Sequence, residues 1–162
     1  LDRIAAIRRI IPNCAISTDI ITGFCDETQE EHEATLTLLN DVKFDFAFMY
    51  KYSERPKTLA ERRYEDNIPE EVKSKRLTEI IDLQLSHALA SKKKQMGEIH
   101  KVLIEGFSKR SDDFLSGRDE YNTMTVFPKG DAQKGQYVLV KINDCTSATL
   151  LGEIVEILPP SK

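Results

Sequence analysis

Residues 44–60 read FDFAFMYKYSERPKTLA, and no other stretch restricts the fold as strongly. Phe44, Phe46, Phe48, Tyr50 and Tyr52 fall on alternate residues, with Asp45, Ala47, Met49, Lys51 and Ser53 between them. A period of two marks a strand with two unlike faces. Five of the chain's twelve aromatics belong to this one strand, which is therefore expected to lie against something large. Arg55-Pro56 ends it, because proline cannot donate to a ladder and restricts the residue before it. Lys51, Ser53 and Arg55 are thus delivered to the C-terminal end of the strand, where parallel sheets and (β/α) barrels build their sites. Three polar groups at one strand end make that end a candidate site.

The residues before this strand alternate helix and strand. Ile4, Ile7 and Ile11 recur at helical spacing until Pro12-Asn13 stops them. Cys14 to Thr22 reads as a strand, Gly23 opens a tight turn, and Thr28 with Glu31 forms a capping box for the next helix. Leu38, Leu39 and Val42 mark that helix's buried stripe. Helix, strand, helix, strand is the alternation of a parallel sheet, yet two strands complete neither a barrel nor a doubly wound sheet. Residues 1–66 are expected to need partners that the chain does not contain. Thr18-Asp19, in a strand rich in isoleucine, has two readings: groups satisfied by neighbouring backbone, or a ligand contact.

Residues 67–96 read as one connecting helix. Pro69, Glu70 and Glu71 start it, and Gly97 is a C-cap candidate. Leu77, Ile80, Ile81, Leu85, Ala88 and Leu89 trace its apolar stripe, with His87 beside it on the surface or in packing. Lys92, Lys93 and Lys94 suit the helix dipole as a solvated end; the rival reading is an RNA contact. Residues 97–162 change to short strands at Ile99 to Phe107, Thr123 to Phe127, Gln136 to Asp144 and Leu150 to Ile157, with Pro159-Pro160 ending the fold. Four or five short strands punctuated by Gly130, Gly135 and Gly152 predict a small closed antiparallel barrel of OB-like type, a class that often binds oligonucleotides. The loop Ser108 to Ser111 and the turn Gly117 to Asn122 supply donors suited to phosphate and base edges. Phe107 and Tyr121 either stack on bases or fill the small core.

A net charge of −4 excludes a generally basic nucleic-acid binder but not a local patch. No apolar run is long enough for a bilayer, so no membrane is expected; an odd number of widely spaced cysteines makes a reducing cytoplasm the best fit. Cys14, Cys25 and Cys145 are too widely spaced for a disulfide framework or a zinc or cluster motif.

Together these motifs resemble a known family. ISTDIITGF at Ile16 to Phe24, FDFAFMYKYSERPKTLA, and VLIEGFSKRSDDFLSGRDEYN from Val102 to Asn122 are similar, in that order, to the MiaB/RimO-type radical SAM methylthiotransferases. The wording EGFSKRS and SGR favours the tRNA-modifying MiaB branch. The resemblance implies α/β plus all-β architecture: 1–66 the last portion of a radical SAM (β/α) barrel, and 97–162 a tRNA-binding TRAM barrel. The implied enzyme uses S-adenosylmethionine and two [4Fe–4S] clusters to add a methylthio group to C2 of N6-isopentenyladenosine beside the tRNA anticodon. The rivals are a RimO-like enzyme acting on a ribosomal-protein aspartate, and an RNA-binding module alone.

By the same resemblance, Asp19, Ile20, Ile21, Gly23, Lys51, Tyr52, Ser53 and Arg55 would border the S-adenosylmethionine pocket. Lys109, Arg110, Arg118 and Asn122 would hold the tRNA anticodon stem-loop. Three departures bear on local geometry: Cys25-Asp26 where the family usually has Pro-Gly, Lys57 where it has glycine in RPGT, and Asp119 where it has threonine in GRT. The family's CxxxCxxC is absent. The chain is therefore expected to be a C-terminal fragment that is inactive without the N-terminal part of its parent and binds no metal or cofactor itself. An exposed sheet edge would invite pairing with a second copy.

Overall fold

In the computed structural model the described residues are 1–159. Pro160, expected to help end the fold, and residues 161–162 of the expected last segment lie outside them. The chain divides into two compact units, Leu1–Ile10 with Ile16–His87, and Ile11–Ala15 with the residues from Ala88 onward.

The first unit contains α1 (Asp2–Ile10), β1 (Ser17–Thr22), α2 (Gln29–Val42), β2 (Phe46–Lys51), α3 (Leu59–Arg63) and most of α4 (Glu70–Lys93). The capping box forms as its sequence requires: Thr28 Oγ1 accepts from Glu31 N at 3.2 Å, and Glu31 Oε2 accepts from Thr28 N at 2.9 Å. Lys43 closes α2 in a left-handed conformation at φ 52°, its N–H donating to Leu39 O. Leu39, Val42, Phe44 and Ile80 form the core, joined by Ile4, Ile16, Ile20, Leu36, Met49 and Leu83. Leu38, expected in the buried stripe, is exposed, and the sequence reading passed over His32, which is fully buried with Nε2 2.7 Å from Glu79 Oε2.

β1 and β2 form a two-stranded parallel sheet whose register sets Asp19 beside Phe48 and Ile21 beside Tyr50. Ile20 and Met49 turn to the core, so the opposite face is left open. Ile21, Phe48 and Tyr50 are 59%, 52% and 56% exposed. The Phe48 and Tyr50 face of the strand therefore does not lie against anything large among the described residues; of the five alternating aromatics only Phe44, which precedes β2, is buried.

α4 covers the other face, but not through the expected stripe alone. Ile80 and Ala88 are buried while Leu85 is exposed, and Lys73, Arg76 and Gln84 are buried alongside. Each of those three has a partner: Lys73 with Asp66, Arg76 with Glu27, and Gln84 Nε2 donating to Phe44 O at 2.8 Å. Paired polar groups are buried at lower cost than unpaired ones, although Arg76 Nε and Gln84 Oε1 have no hydrogen-bond partner, and an apolar count misplaces this helix's inner face. At its end the N–H groups of Lys94 and Gln95 donate to Ser91 and Lys92 three residues back. Gly97, expected to cap the helix, sits beyond this tightened turn at φ 85° and donates to Ile142 O at 2.9 Å.

The second unit is a closed five-stranded barrel of β3 (Ile99–Ser108), β4 (Ser111–Asp119), β5 (Met124–Pro128), β6 (Tyr137–Cys145) and β7 (Thr149–Ile157). The order is β3-β4-β5-β7-β6, with β6 returning to β3. Every pairing is antiparallel except β5 with β7. Val102, Ile104, Leu115, Phe127, Val138, Val140, Ile142 and Leu150 fill the interior. The sequence reading makes Ser108 to Ser111 a loop and Gly117 to Asn122 a turn, and assigns no element to the residues between. Residues 108–122 contain β4, whose polar run SDDFLSGRD hides the alternation of Leu115, Gly117 and Asp119 to the inside. Gly117 is required there: a Cβ would stand 2.1 Å from Leu103 O on β3.

Candidate functional site

At the C-terminal ends of β1 and β2 the chain builds a charged and aromatic cluster. Gly23 turns the chain at φ 73°, a conformation open to glycine, and a Cβ would also meet the Lys73 stem at 2.5 Å. Its N–H donates to Glu27 Oε2 at 2.6 Å; the same oxygen accepts from Arg76 Nη1 at 2.8 Å and Thr22 Oγ1 at 3.3 Å. One carboxylate thus ties the strand end, its turn and α4 together. Beside it Lys73 Nζ lies 2.6 Å from Asp66 Oδ2 and 5.4 Å from the centre of the Tyr52 ring. Phe24 meets Tyr52 and Tyr64 edge to face at 4.9 and 5.7 Å. Burial, followed by the charge and hydrogen bond of Cys25, pushes the Tyr52 phenol up from its ordinary value.

The expected pocket residues fall in different places. Asp19 and Ile21 lie on the open sheet face, whereas the Ile20 side chain belongs to the core. Lys51 is drawn to α4, paired with Glu70 and 3.4 Å from Ser74 Oγ. Tyr52 turns into the aromatic cluster. Ser53 and Arg55 are exposed beyond the strand, and the Arg55 carbonyl accepts from Thr58 Oγ1 at 2.8 Å. Lys51, Ser53 and Arg55 therefore do not converge. Glu27, Lys73, Arg76 and Asp66, which do, escape the sequence reading because they come from the turn before α2, the loop before α4 and α4 itself. Two of the departures from the family wording carry left-handed backbone: Asp26 at φ 63° and Lys57 at φ 68° stand where the family usually has glycine. Asn67 braces Asp26 from both sides, accepting from its N–H at 3.0 Å and donating to its carboxylate at 2.5 Å.

On the barrel, Lys109 and Arg110 form the tip of the β3–β4 hairpin, since Ser108 pairs with Ser111. Arg118 and Asn122 lie at the other end of β4, roughly 25 Å away along the strand. Arg118 Nη1 donates to Asn122 O at 3.0 Å and Oδ1 at 3.2 Å, and its Nε is 3.4 Å from Glu105 Oε1. The four expected RNA contacts are thus two separate pairs. Asp119 faces inward with a buried carboxylate. Oδ2 lies 2.8 Å from His100 Nδ1, and Oδ1 accepts from Tyr121 N and Thr123 N at 3.0 and 2.7 Å. It shapes the turn, and its side chain is not a surface acid placed against phosphate. The Asp119 hydrogen bond holds the His100 imidazole above its ordinary value against the opposing effect of burial, with the charges of Asp119 and Glu98 adding to it. His87 is half-buried, its Nε2 3.1 Å from Asn40 Oδ1, and burial with Lys43 lowers it.

Cys14 is exposed, Cys25 buried and Cys145 half-buried, all free, and among the described residues no three metal-ligating side chains come together. These residues do not fit an iron–sulfur cluster. No helix of the described residues is long and apolar enough to cross a membrane.

The TRAM domain family matches residues 93–155, the barrel with its lead-in. Three relatives carry the name tRNA-2-methylthio-N(6)-dimethylallyladenosine synthase. That of Porphyromonas gingivalis is 53% identical over 96% of this chain and 34% of its own length. That of Christiangramia forsetii is 55% identical over 91% of this chain and 31% of its own. That of Chloroherpeton thalassium is 51% identical over 94% and 34%. The chain spans about one third of the length of these relatives. Residues 93–155 match the TRAM domain family and, across both its units, the chain is similar to the C-terminal part of the tRNA-2-methylthio-N(6)-dimethylallyladenosine synthases.

Proposed function

We propose that this chain is the substrate-handling third of a cytoplasmic tRNA methylthiotransferase of the MiaB type. The observation that carries the reading is identity of 50–55% running through both units rather than through the barrel alone. In this reading the first unit is a wall of a radical SAM (β/α) barrel. Its open face, with Asp19, Ile21, Phe48 and Tyr50, looks into that barrel. A β/α barrel buries both faces of every strand, and here helices cover only one.

The exposed Asp19 carboxylate beside an apolar sheet face fits part of a site for S-adenosylmethionine, whose adenine needs apolar surface and whose hydroxyl and ammonium groups need acceptors. Bound there, S-adenosylmethionine would supply the radical and methyl chemistry of the family. The Gly23 turn, locked by Glu27 and Arg76, holds the strand end in one conformation, and the Phe24, Tyr52 and Tyr64 rings pack edge to face beside it. The clusters would be held by residues other than those of this chain. The second unit binds the anticodon stem-loop, supported by its TRAM match.

Titration of the chain with a tRNA carrying N6-isopentenyladenosine and with a ribosomal-protein substrate separates this reading from the aspartate-modifying branch. Saturable binding to the tRNA alone is expected. Binding to the ribosomal protein alone, or to neither, overturns it.

A further inference from the structure

The barrel carries a cleft that none of the four expected RNA contacts lines. It lies between the bent end of β3 and the β5–β6 loop, with a volume of about 480 Å³ and walls from Phe107, Leu115, Lys129, Gln133 and Lys134. That falls within the roughly 300–1,000 Å³ of small-molecule sites. Phe107 is 54% exposed although the barrel core beside it is closed, and Lys129 Nζ lies 5.0 Å from the centre of its ring. Gly106, next to it, has no positive φ, and a Cβ there would meet no atom within 4 Å. Neither backbone conformation nor packing requires glycine at 106; its effect is to keep that wall of the cleft bare. The wording EGFSKRS thus contains two residues, Gly106 and Phe107, that the fold itself does not use.

We propose that this cleft seats a single unstacked RNA nucleotide, its base on the Phe107 ring and its phosphate against Lys129 and Lys134. The inference rests on the RNA-binding reading of the barrel and names the element it recognises: an unpaired loop nucleotide, not duplex. Lys129 Nζ stands over the Phe107 ring; an aromatic ring with a cation close to it is the pairing that single-strand sites use, and stacking accepts any base. Lys129 and Lys134 share the lining with one carboxylate, Asp131, and Asp112 and Asp113 lie on the neighbouring strand. The field is therefore weak, and stacking carries more of the recognition than charge.

The test is fluorescence anisotropy of the 162-residue chain with an RNA stem-loop and with a blunt duplex of the same stem. Variants are Gly106→Val, which fills the cleft, and Phe107→Leu, which keeps bulk but removes the ring, with Phe107→Tyr as the conservative control. Thermal melts report folding, and Phe107→Leu decides alone if Gly106→Val fails to fold. Gly106→Val and Phe107→Leu are expected to weaken stem-loop binding about tenfold and duplex binding by less than about twofold, with Phe107→Tyr close to wild type. Equal stem-loop binding by wild type and both variants overturns the cleft and leaves the RNA reading intact. No RNA binding by wild type overturns both.

Discussion

The Asp119 carboxylate is buried, with three partners, and one of them is the His100 imidazole, held above its ordinary value by this hydrogen bond. Protonated His100 completes an ion pair inside the barrel wall, with Tyr121 edge to face against its ring at 5.7 Å. Its folded value lies above the ordinary imidazole range, so the stability it contributes is complete below about pH 6.5 and is lost as pH rises through the raised value. Chemical denaturation of the chain is expected to show a midpoint falling across that rise, and the His100→Gln variant a flatter profile. A midpoint in the wild type that climbs with pH over the same interval would contradict the pair. In the sequence Asp119 reads as a surface acid replacing threonine, because nothing local announces a histidine nineteen residues earlier on the paired strand. By contrast Thr28 and Glu31 were legible, since a capping box is complete within four residues.

Among elements, the same distinction separates β2 from β4. Alternation over Phe46–Lys51 is visible because unlike residues occupy the two faces. Ser111–Asp119 lacks it because its inward positions include Gly117 and Asp119, neither of them a strand former. Gly117 is nonetheless the residue β4 can least lose: a Cβ would strike the Leu103 carbonyl and the Val102 side chain. Gly117→Ala is expected to cost about 3 kcal/mol by overpacking, read as a lowered denaturant midpoint with unchanged secondary structure in the remaining native state. A loss within about 0.5 kcal/mol, the range of ordinary surface changes, would show that β3 and β4 tolerate the separation. α4 repeats the lesson in a helix. Its buried Lys73 and Arg76 are answered by Asp66 and Glu27, which lie outside the helix and are invisible to a periodicity count.

At the scale of the whole molecule, a self-contained barrel accompanies a sheet that is finished on one face only. The alternating aromatics announced a strand needing a large neighbour, and the structure shows Phe48 and Tyr50 without one among the described residues. That incompleteness was legible from the number of strands. Which side chains cluster at the strand ends was not, because Glu27, Asp66, Lys73 and Arg76 meet only once α4 has packed on the sheet. We propose that the open face and the barrel are parts of a tRNA methylthiotransferase. This is tested most directly by nucleoside mass spectrometry of tRNA bearing N6-isopentenyladenosine, incubated under reducing conditions with S-adenosylmethionine and either the 162-residue chain or the protein extended to the full length of its relatives with clusters loaded. A 2-methylthio group on that nucleoside is expected from the extended protein and none from the chain alone; methylthiolation by the chain alone, or an unmodified tRNA alongside a modified ribosomal-protein aspartate, would contradict the proposal.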